Sequence, residues 1–494
     1  VNLANASNVA GGENFIRTTQ MGFVGQVEMD WDSTIYLTLA ARQDYDSRLG
    51  VPNTDFKASD YSFVYPAASV SFLLSELLPQ SETLSFAKIR ASWAQVGGPP
   101  PFAYLTTSGY ELTTVGDGWG DSISWPIQGI TGFEIDNILG NNELTSELTE
   151  EIEFGVDLRF FNNKIGLDLA YYERKMSDAI LNATLPSSTG YTNVWLNSGR
   201  MTGRGIEASL NLNIAQSQNF SYTSQINFTS SENIVEELAP GLDKLFLAGF
   251  SGAGSYLIAG NQYGYVLGGT YLRTGSGGPN DDGLNVPEGD IVINSDPTSN
   301  EYGFEAVDPV QRGIGNPNPD FILGWNNQFK IGPVSANFLL DWRQGGDLLN
   351  GVAWALSFFG RSQLTADTRN EAPSPIPGVK ADGSPNDIPV VRDQYYYQSS
   401  VGGFGSVWEQ FVQDGGWIRL REVSLGYDIP MDKLGIDFID SGNLSIVGRN
   451  LWYSTDYNGV DPETSLTGVG NGQGVDYFNM PSTRSVLAKL KLNL

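Results

Sequence analysis

Hydrophobic and polar residues alternate along this chain with a period of two, in run after run. Over 151–160, Ile152, Phe154, Val156, Leu158 and Phe160 fall on one face, and Glu151, Glu153, Gly155, Asp157 and Arg159 fall on the other. Over 204–214, Ile206, Ala208, Leu210, Leu212 and Ile214 oppose Gly205, Glu207, Ser209, Asn211 and Asn213. Over 334–343, Val334, Ala336, Phe338, Leu340 and Trp342 oppose Ser335, Asn337, Leu339, Asp341 and Arg343. At the C-terminal end, Val486, Ala488, Leu490, Leu492 and Leu494 oppose Leu487, Lys489, Lys491 and Asn493. Successive side chains of a strand point to opposite faces, so each run predicts a strand with one apolar and one polar surface.

Strands of soluble sheets run to about 5–6 residues; these run to about 10–14, the length a tilted strand needs to cross a bilayer. Aromatics gather near the run ends, at Trp31, Phe160 with Phe161, Tyr171 with Tyr172, and Trp452 with Tyr453. That placement suits interfacial girdles. The pattern predicts an all-β fold, a transmembrane antiparallel β-barrel. A large soluble sandwich or propeller would alternate in the same way, but no blade-length repeat supports it. About fourteen strands satisfy the period-two criterion. They centre near 18–30, 33–45, 61–75, 83–96, 147–161, 164–180, 201–214, 218–232, 263–273, 320–331, 333–345, 416–428, 442–454 and 482–494. Short turns such as Asn162-Asn163 and Gly332-Pro333 join some of them, and long Gly/Pro/Asp-rich stretches near 97–146, 274–319, 346–415 and 455–481 separate others. Short turns on one side and long loops on the other are the asymmetry of an outer-membrane barrel.

Composition narrows the chemistry. Among 494 residues there is no His and no Cys, which excludes disulfides, thiolate or imidazole metal sites, Cys nucleophiles and Ser-His-Asp triads. A net charge of −28 argues against a nucleic-acid partner. No run approaches 18 apolar residues, so no transmembrane helix is expected, and a barrel leaves no such mark. The opening VNLANASNVAGGENF carries neither an initiator Met nor a signal peptide, and a missing N-terminal segment is the favoured reading.

At several places the residues resemble a known family. Leu148-Thr149-Glu150-Glu151-Ile152-Glu153-Phe154-Gly155-Val156-Asp157-Leu158 is similar to the E-x-G-x-D segment of SusC/RagA-type TonB-dependent outer-membrane transporters. Leu185-Pro186-Ser187-Ser188-Thr189-Gly190, Asn197-Ser198-Gly199 and Gly203-Arg204-Gly205-Ile206-Glu207 resemble its next run, and Gly313-Ile314-Gly315-Asn316-Pro317-Asn318-Pro319-Asp320-Phe321 its IGNPNP element. The stretch from Trp417-Ile418-Arg419-Leu420-Arg421-Glu422 to Tyr427, and Gly448-Arg449-Asn450-Leu451, resemble the closing strands. Asp461-Pro462-Glu463 and Met480-Pro481-Ser482-Thr483-Arg484 fit the last loop. The matches keep the family's order from about residue 20 to the end. The C-terminal Leu494 departs from the aromatic with which such barrels often end. The resemblance implies a barrel of about 22 strands with an N-terminal plug. The whole chain, 1–494, then reads as the C-terminal portion of that barrel, without the plug. The resemblance also implies partners: a SusD-like surface lipoprotein as lid, the plug-bearing N-terminal portion of the same transporter and, through that plug, the TonB complex. Outer-membrane lipid would surround the wall.

Candidate sites each carry two readings. Glu151, Glu153, Asp157 and Arg159 on one polar face, and Asp341 and Arg343 on another, suggest either a glycosidase-like carboxylate pair or a wetted wall facing lumen and plug; the wall is favoured. Asp281 and Asp282, in an oxygen-rich loop without EF-hand spacing, suit either calcium or a solvated turn. Trp119, Trp125, Trp354, Phe358, Phe359, Tyr395, Tyr396 and Tyr397 in the long loops either stack on solutes or pack the loops together. The expected function is an active outer-membrane importer of oligosaccharides or oligopeptides, with no covalent chemistry. A passive or secretory barrel without TonB coupling is the alternative, and a soluble glycan-binding adhesin a third.

Overall fold

The computed structural model describes residues 15–493 except 51–60, 80, 113, 116–122, 126, 128–129, 251, 400–401, 403–406, 436–437, 469 and 471. Thirteen strands form one antiparallel sheet in which each strand pairs with the next in chain order. They are β1 (Gln20–Trp31), β2 (Ile35–Asp46), β3 (Ser62–Leu73), β4 (Leu84–Gly98), β5 (Glu147–Phe160), β6 (Ile165–Ser177) and β7 (Arg200–Gln216). The series continues with β8 (Phe220–Glu237), β9 (Phe321–Ile331), β10 (Val334–Gln344), β11 (Trp417–Ile429), β12 (Ser441–Thr455) and β13 (Ser485–Asn493).

Each strand follows from its alternation, and the tight turns follow from local chemistry. Between β1 and β2, Asp32 and Ser33 both take positive φ (52° and 49°), the twist of a tight hairpin turn closed by the Thr34 N–H on the Trp31 carbonyl at 3.0 Å. Between β5 and β6, Asn162 and Asn163 do the same, and Asn tolerates that region better than most residues. Gly332, at φ 56°, turns β9 into β10 ahead of Pro333. These turns, with those after β3, β7 and β11, share one end of the sheet. The opposite end carries the described residues of 47–61, 99–146, 178–199, 238–320, 345–416 and 456–484. The expected asymmetry is present.

Burial is inverted relative to a soluble protein. The apolar face of the sheet is uncovered: Trp31 is 76 % exposed, Phe154 57 % and Val486 73 %. Contiguous apolar surface on this scale suits lipid, not water. Dense packing is found among the long connections instead. Ala253 and Val266 from 238–320, Leu349, Trp354, Trp408 and Phe411 from 345–416, and Val475 from 456–484 share one buried cluster. A second joins Tyr271, Ile293 and Phe304 to Ile376, Tyr396 and Val407.

One expected wall strand is not in the wall. Of 263–273, Tyr265–Gly268 pairs with Ala253–Ile258 and Arg312–Gly315 in a four-stranded sheet that Lys244–Gly249 completes. Val266 and Leu267 are both buried, so this strand is covered on two faces. A Cβ at Gly268 would collide with the Ile314 Cδ1 and stand 3.3 Å from the Trp408 Cβ, so the glycine sits where the loop core closes on the strand. Leu494 and Trp119 lie outside the described residues. Among the described residues, β1 pairs only with β2 and β13 only with β12, leaving one edge of each unpaired.

Candidate functional site

The polar face of the wall is laced by ion pairs that run across strands. Arg90 on β4 donates from Nε to Glu153 on β5 at 3.1 Å and, two-pronged, to Asp168 on β6 at 2.9 Å on each prong. Its guanidinium crosses directly over Gly155, where any Cβ would collide with it. The glycine of the Glu153-x-Gly155-x-Asp157 segment is therefore a passage for a cation reaching from one neighbouring strand to the other. Gly205 on β7 likewise leaves room for a neighbour's side chain, with the Tyr172 hydroxyl 2.6 Å from where its Cβ would stand. Glu151 accepts from Arg174 on β6 at 2.8 Å. Arg159 pairs with Asp157 at 3.5 Å and lies 4.8 Å from the centre of the Phe86 ring. These groups lie opposite the exposed Ile152 and Phe154. Each carboxylate is paired with a cation, and none stands as an isolated acid or base.

Where strands meet the long connections, segments far apart in sequence converge. Arg419 on β11 is 1 % exposed and donates to Asp461 and to the Ser482 hydroxyl, both at 2.6 Å. Its neighbour Arg421 donates to Asp341 on β10 at 2.8 Å and to both oxygens of Glu463. The Tyr453 ring lies 4.8 Å from the Arg419 guanidinium. A buried cation is tolerated when a counter-charge is close, and here Asp461 and Ser482 take both terminal nitrogens while Nε is left without a partner. Burial raises the proton affinity of Asp461, but Arg419, Ser482 and two backbone N–H groups outweigh it, bringing its pKa down to about 2. Arg343, expected on the open wall, spends a guanidinium nitrogen on the Pro317 carbonyl at 2.6 Å. It ties β10 to the Asn316-Pro317-Asn318 turn, whose Asn316 N–H is held by Asp347 at 2.7 Å.

The loop aromatics divide into two groups. Trp354 is 1 % exposed and stacks on Trp408, with ring centres 4.5 Å apart, so it belongs to the loop core and offers no face to a solute. Tyr396 is likewise buried and donates its hydroxyl to Glu305 at 3.1 Å. Burial pushes the proton affinity of both groups up. Trp125 is half-buried over Gly132. Phe359 and Tyr395 are exposed. Phe358, Phe359 and Tyr397 line a cavity of about 560 Å³ together with Arg361, Arg369 and Arg392. Those three arginines are the functional candidates that periodicity misses; the only sequence signal is their spacing within one loop of an acidic chain.

Asp281 is held by Arg312 at both oxygens, and Arg312 also donates to Asp308 at 2.9 Å. Asp282 accepts the N–H groups of Leu284 and Asn285 at 2.9 and 2.8 Å. Both carboxylates serve protein donors, and among the described residues no cluster of three or more acidic side chains has the geometry to hold a metal.

Comparison with known proteins agrees with this architecture. Residues 2–451 match the family described as TonB dependent receptor-like, beta-barrel, and the chain belongs to that family. Among curated relatives, TonB-dependent receptor P3 of Formosa agariphila is 26 % identical over 509 residues, covering 97 % of this chain and 46 % of the relative. TonB-dependent receptor P26 of the same organism is 26 % identical over 491 residues, covering 95 % and 46 %. The chain thus spans about half the length of the curated relatives it matches. Among solved structures, the RagAB peptide transporter superposes with a TM-score of 0.70 at 18 % identity, over 96 % of this chain and 48 % of that one. The RagAB peptide importer in its open-open state gives 0.67 at 18 %, over 97 % and 47 %. The fold is that of the RagAB wall, as the resemblance to SusC/RagA-type transporters implies.

Proposed function

We propose that this chain forms wall strands and long loops of a TonB-dependent importer in the outer membrane of a Gram-negative bacterium. In this reading, β1–β13 supply a portion of the barrel, and a further segment of the same transporter supplies the remaining strands and the plug. The observation that carries it is that, among the described residues, both edges of a sheet with an apolar outer face are unpaired. An open edge in hydrocarbon leaves backbone groups without partners, at a cost of several kcal/mol for each. Support also comes from the family match and from relatives about twice as long.

The cargo in this reading is an oligosaccharide or oligopeptide, captured between the packed loops and a SusD-like lipoprotein lid. The plug, pulled by the TonB complex, then opens the lumen. The ion-paired wall of Arg90, Glu153, Asp168, Glu151 and Arg174 faces lumen and plug, keeping that surface wet while its charges stay locally neutralised. The test is purification from native membranes with the protein tagged in a long loop. Recovery in the outer-membrane fraction, together with plug sequence and a lipoprotein, is expected. Recovery without detergent, or as a lone channel of constant conductance, contradicts the proposal.

A further inference from the structure

We propose that the cavity between Phe358, Tyr397 and the arginines 361, 369 and 392 binds an oxyanion carried by the imported solute, a carboxylate or a sulfate ester. The inference rests on the importer reading only for the fate of the solute.

The first observation is charge. The whole chain carries −28, yet this cavity is lined by three arginines and one carboxylate, Asp393. Three other cavities are lined by Glu76 and Glu82, by Asp136, or by uncharged residues only. An anionic solute approaching an acidic protein is repelled unless a local cationic site offsets the field.

The second is how the donors are spent. Asp393 is committed to capping the helix Gln394–Gln398, accepting the Tyr395 N–H at 2.9 Å and that of Tyr396 at 3.3 Å. Arg392 uses one terminal nitrogen on Glu371 at 2.7 Å, and Arg369 uses one on the Gly360 carbonyl at 2.7 Å. Each guanidinium has five N–H donors, so both retain several. Arg361 is exposed, and its side chain has no hydrogen-bond or ion-pair partner among the described residues. An arginine free of internal partners, beside two that are braced, presents the fork geometry that matches a carboxylate or sulfate.

The third is the wall opposite. Phe358 and Phe359 meet edge to face with centres 5.1 Å apart, and the Tyr397 hydroxyl is braced 2.7 Å from the Thr368 hydroxyl. Held rings beside cations suit a solute with an apolar flank next to its charge, as an acidic sugar residue or an acidic peptide has. At about 560 Å³ the cavity has room for one or two such units, not for a chain end to end.

The experiment is calorimetric titration of the natively purified, detergent-solubilised transporter. The probes are trigalacturonate, a sulfated galactan trisaccharide, a triglutamate peptide and neutral galactotriose. At least one anionic probe is expected to bind about tenfold or more tightly than the neutral one, and to weaken as salt rises. The preferred probe identifies the source of the oxyanion. R361Q, which breaks no internal contact, is expected to weaken that probe about tenfold while leaving neutral galactotriose unchanged. K380Q, which removes a cation elsewhere in the same loop, is expected to change neither. Equal binding of anionic and neutral probes, or R361Q indistinguishable from K380Q, overturns the assignment. Either result leaves the importer reading intact, because uptake by cells and co-purification of the plug are read separately.

Discussion

Arg90 lies across Gly155: its guanidinium occupies the space a side chain at 155 would need, and from there it reaches Glu153 and Asp168 on two successive strands. A sequence motif and a glycine are thereby explained by one cation. Gly155→Ala should displace the guanidinium and weaken both pairs, costing about 1–2 kcal/mol of barrel stability. The check is a double-mutant cycle in detergent thermal unfolding. In an Arg90→Ser background, Gly155→Ala should cost almost nothing, and additive effects would contradict the account.

The buried Arg419–Asp461 pair makes a pH-dependent contribution. Asp461 has a folded pKa of about 2, below its ordinary 3.8, so its share of stability is complete above about pH 4 and is lost as pH falls through 2. Asp461→Asn strands a cation that is 1 % exposed and should cost about 3 kcal/mol at pH 7. The variant's stability should also vary less between pH 4 and 2 than that of the parent. Denaturation series at those pH values measure both effects.

Two aromatics in the same helix-rich loop should behave oppositely. Trp354→Ala empties the centre of the loop core and should cost about 3–5 kcal/mol of local stability. Phe359→Ala removes an exposed ring that meets the edge of Phe358 outside the loop core, and should leave that core's packing unchanged. Hydrogen exchange over 345–416 and 456–484 distinguishes them: protection collapses in the first variant and persists in the second.

The wall was legible in the sequence because its physics is local. A strand between lipid and water must alternate, so β5, β7, β10 and β13 announce themselves, with bounds close to those observed. The strand expected at 263–273 failed for the same reason: Val266 and Leu267 are buried on two faces, and a short apolar run does not say what will cover it. The loops were not legible, because their core is made by distant residues. Trp354 and Phe359 look alike in sequence, yet one is packed against Trp408 in the loop core and the other is largely exposed, with Phe358 against it edge to face. Arg419, Asp461 and Ser482 were each visible within family-like segments, but that they form one ion cluster depends on β11 and the last long loop meeting.

The absence of native cysteine makes the central claim, a wall with lipid on one face, directly measurable. Single-cysteine variants through β5, at Ile152, Glu153, Phe154, Asp157 and Leu158, would be labelled in intact outer-membrane vesicles with a charged, water-soluble maleimide. The account predicts labelling that alternates, with Glu153 and Asp157 positions reactive and Ile152, Phe154 and Leu158 positions protected until detergent is added. Equal reactivity of both faces before detergent would contradict it.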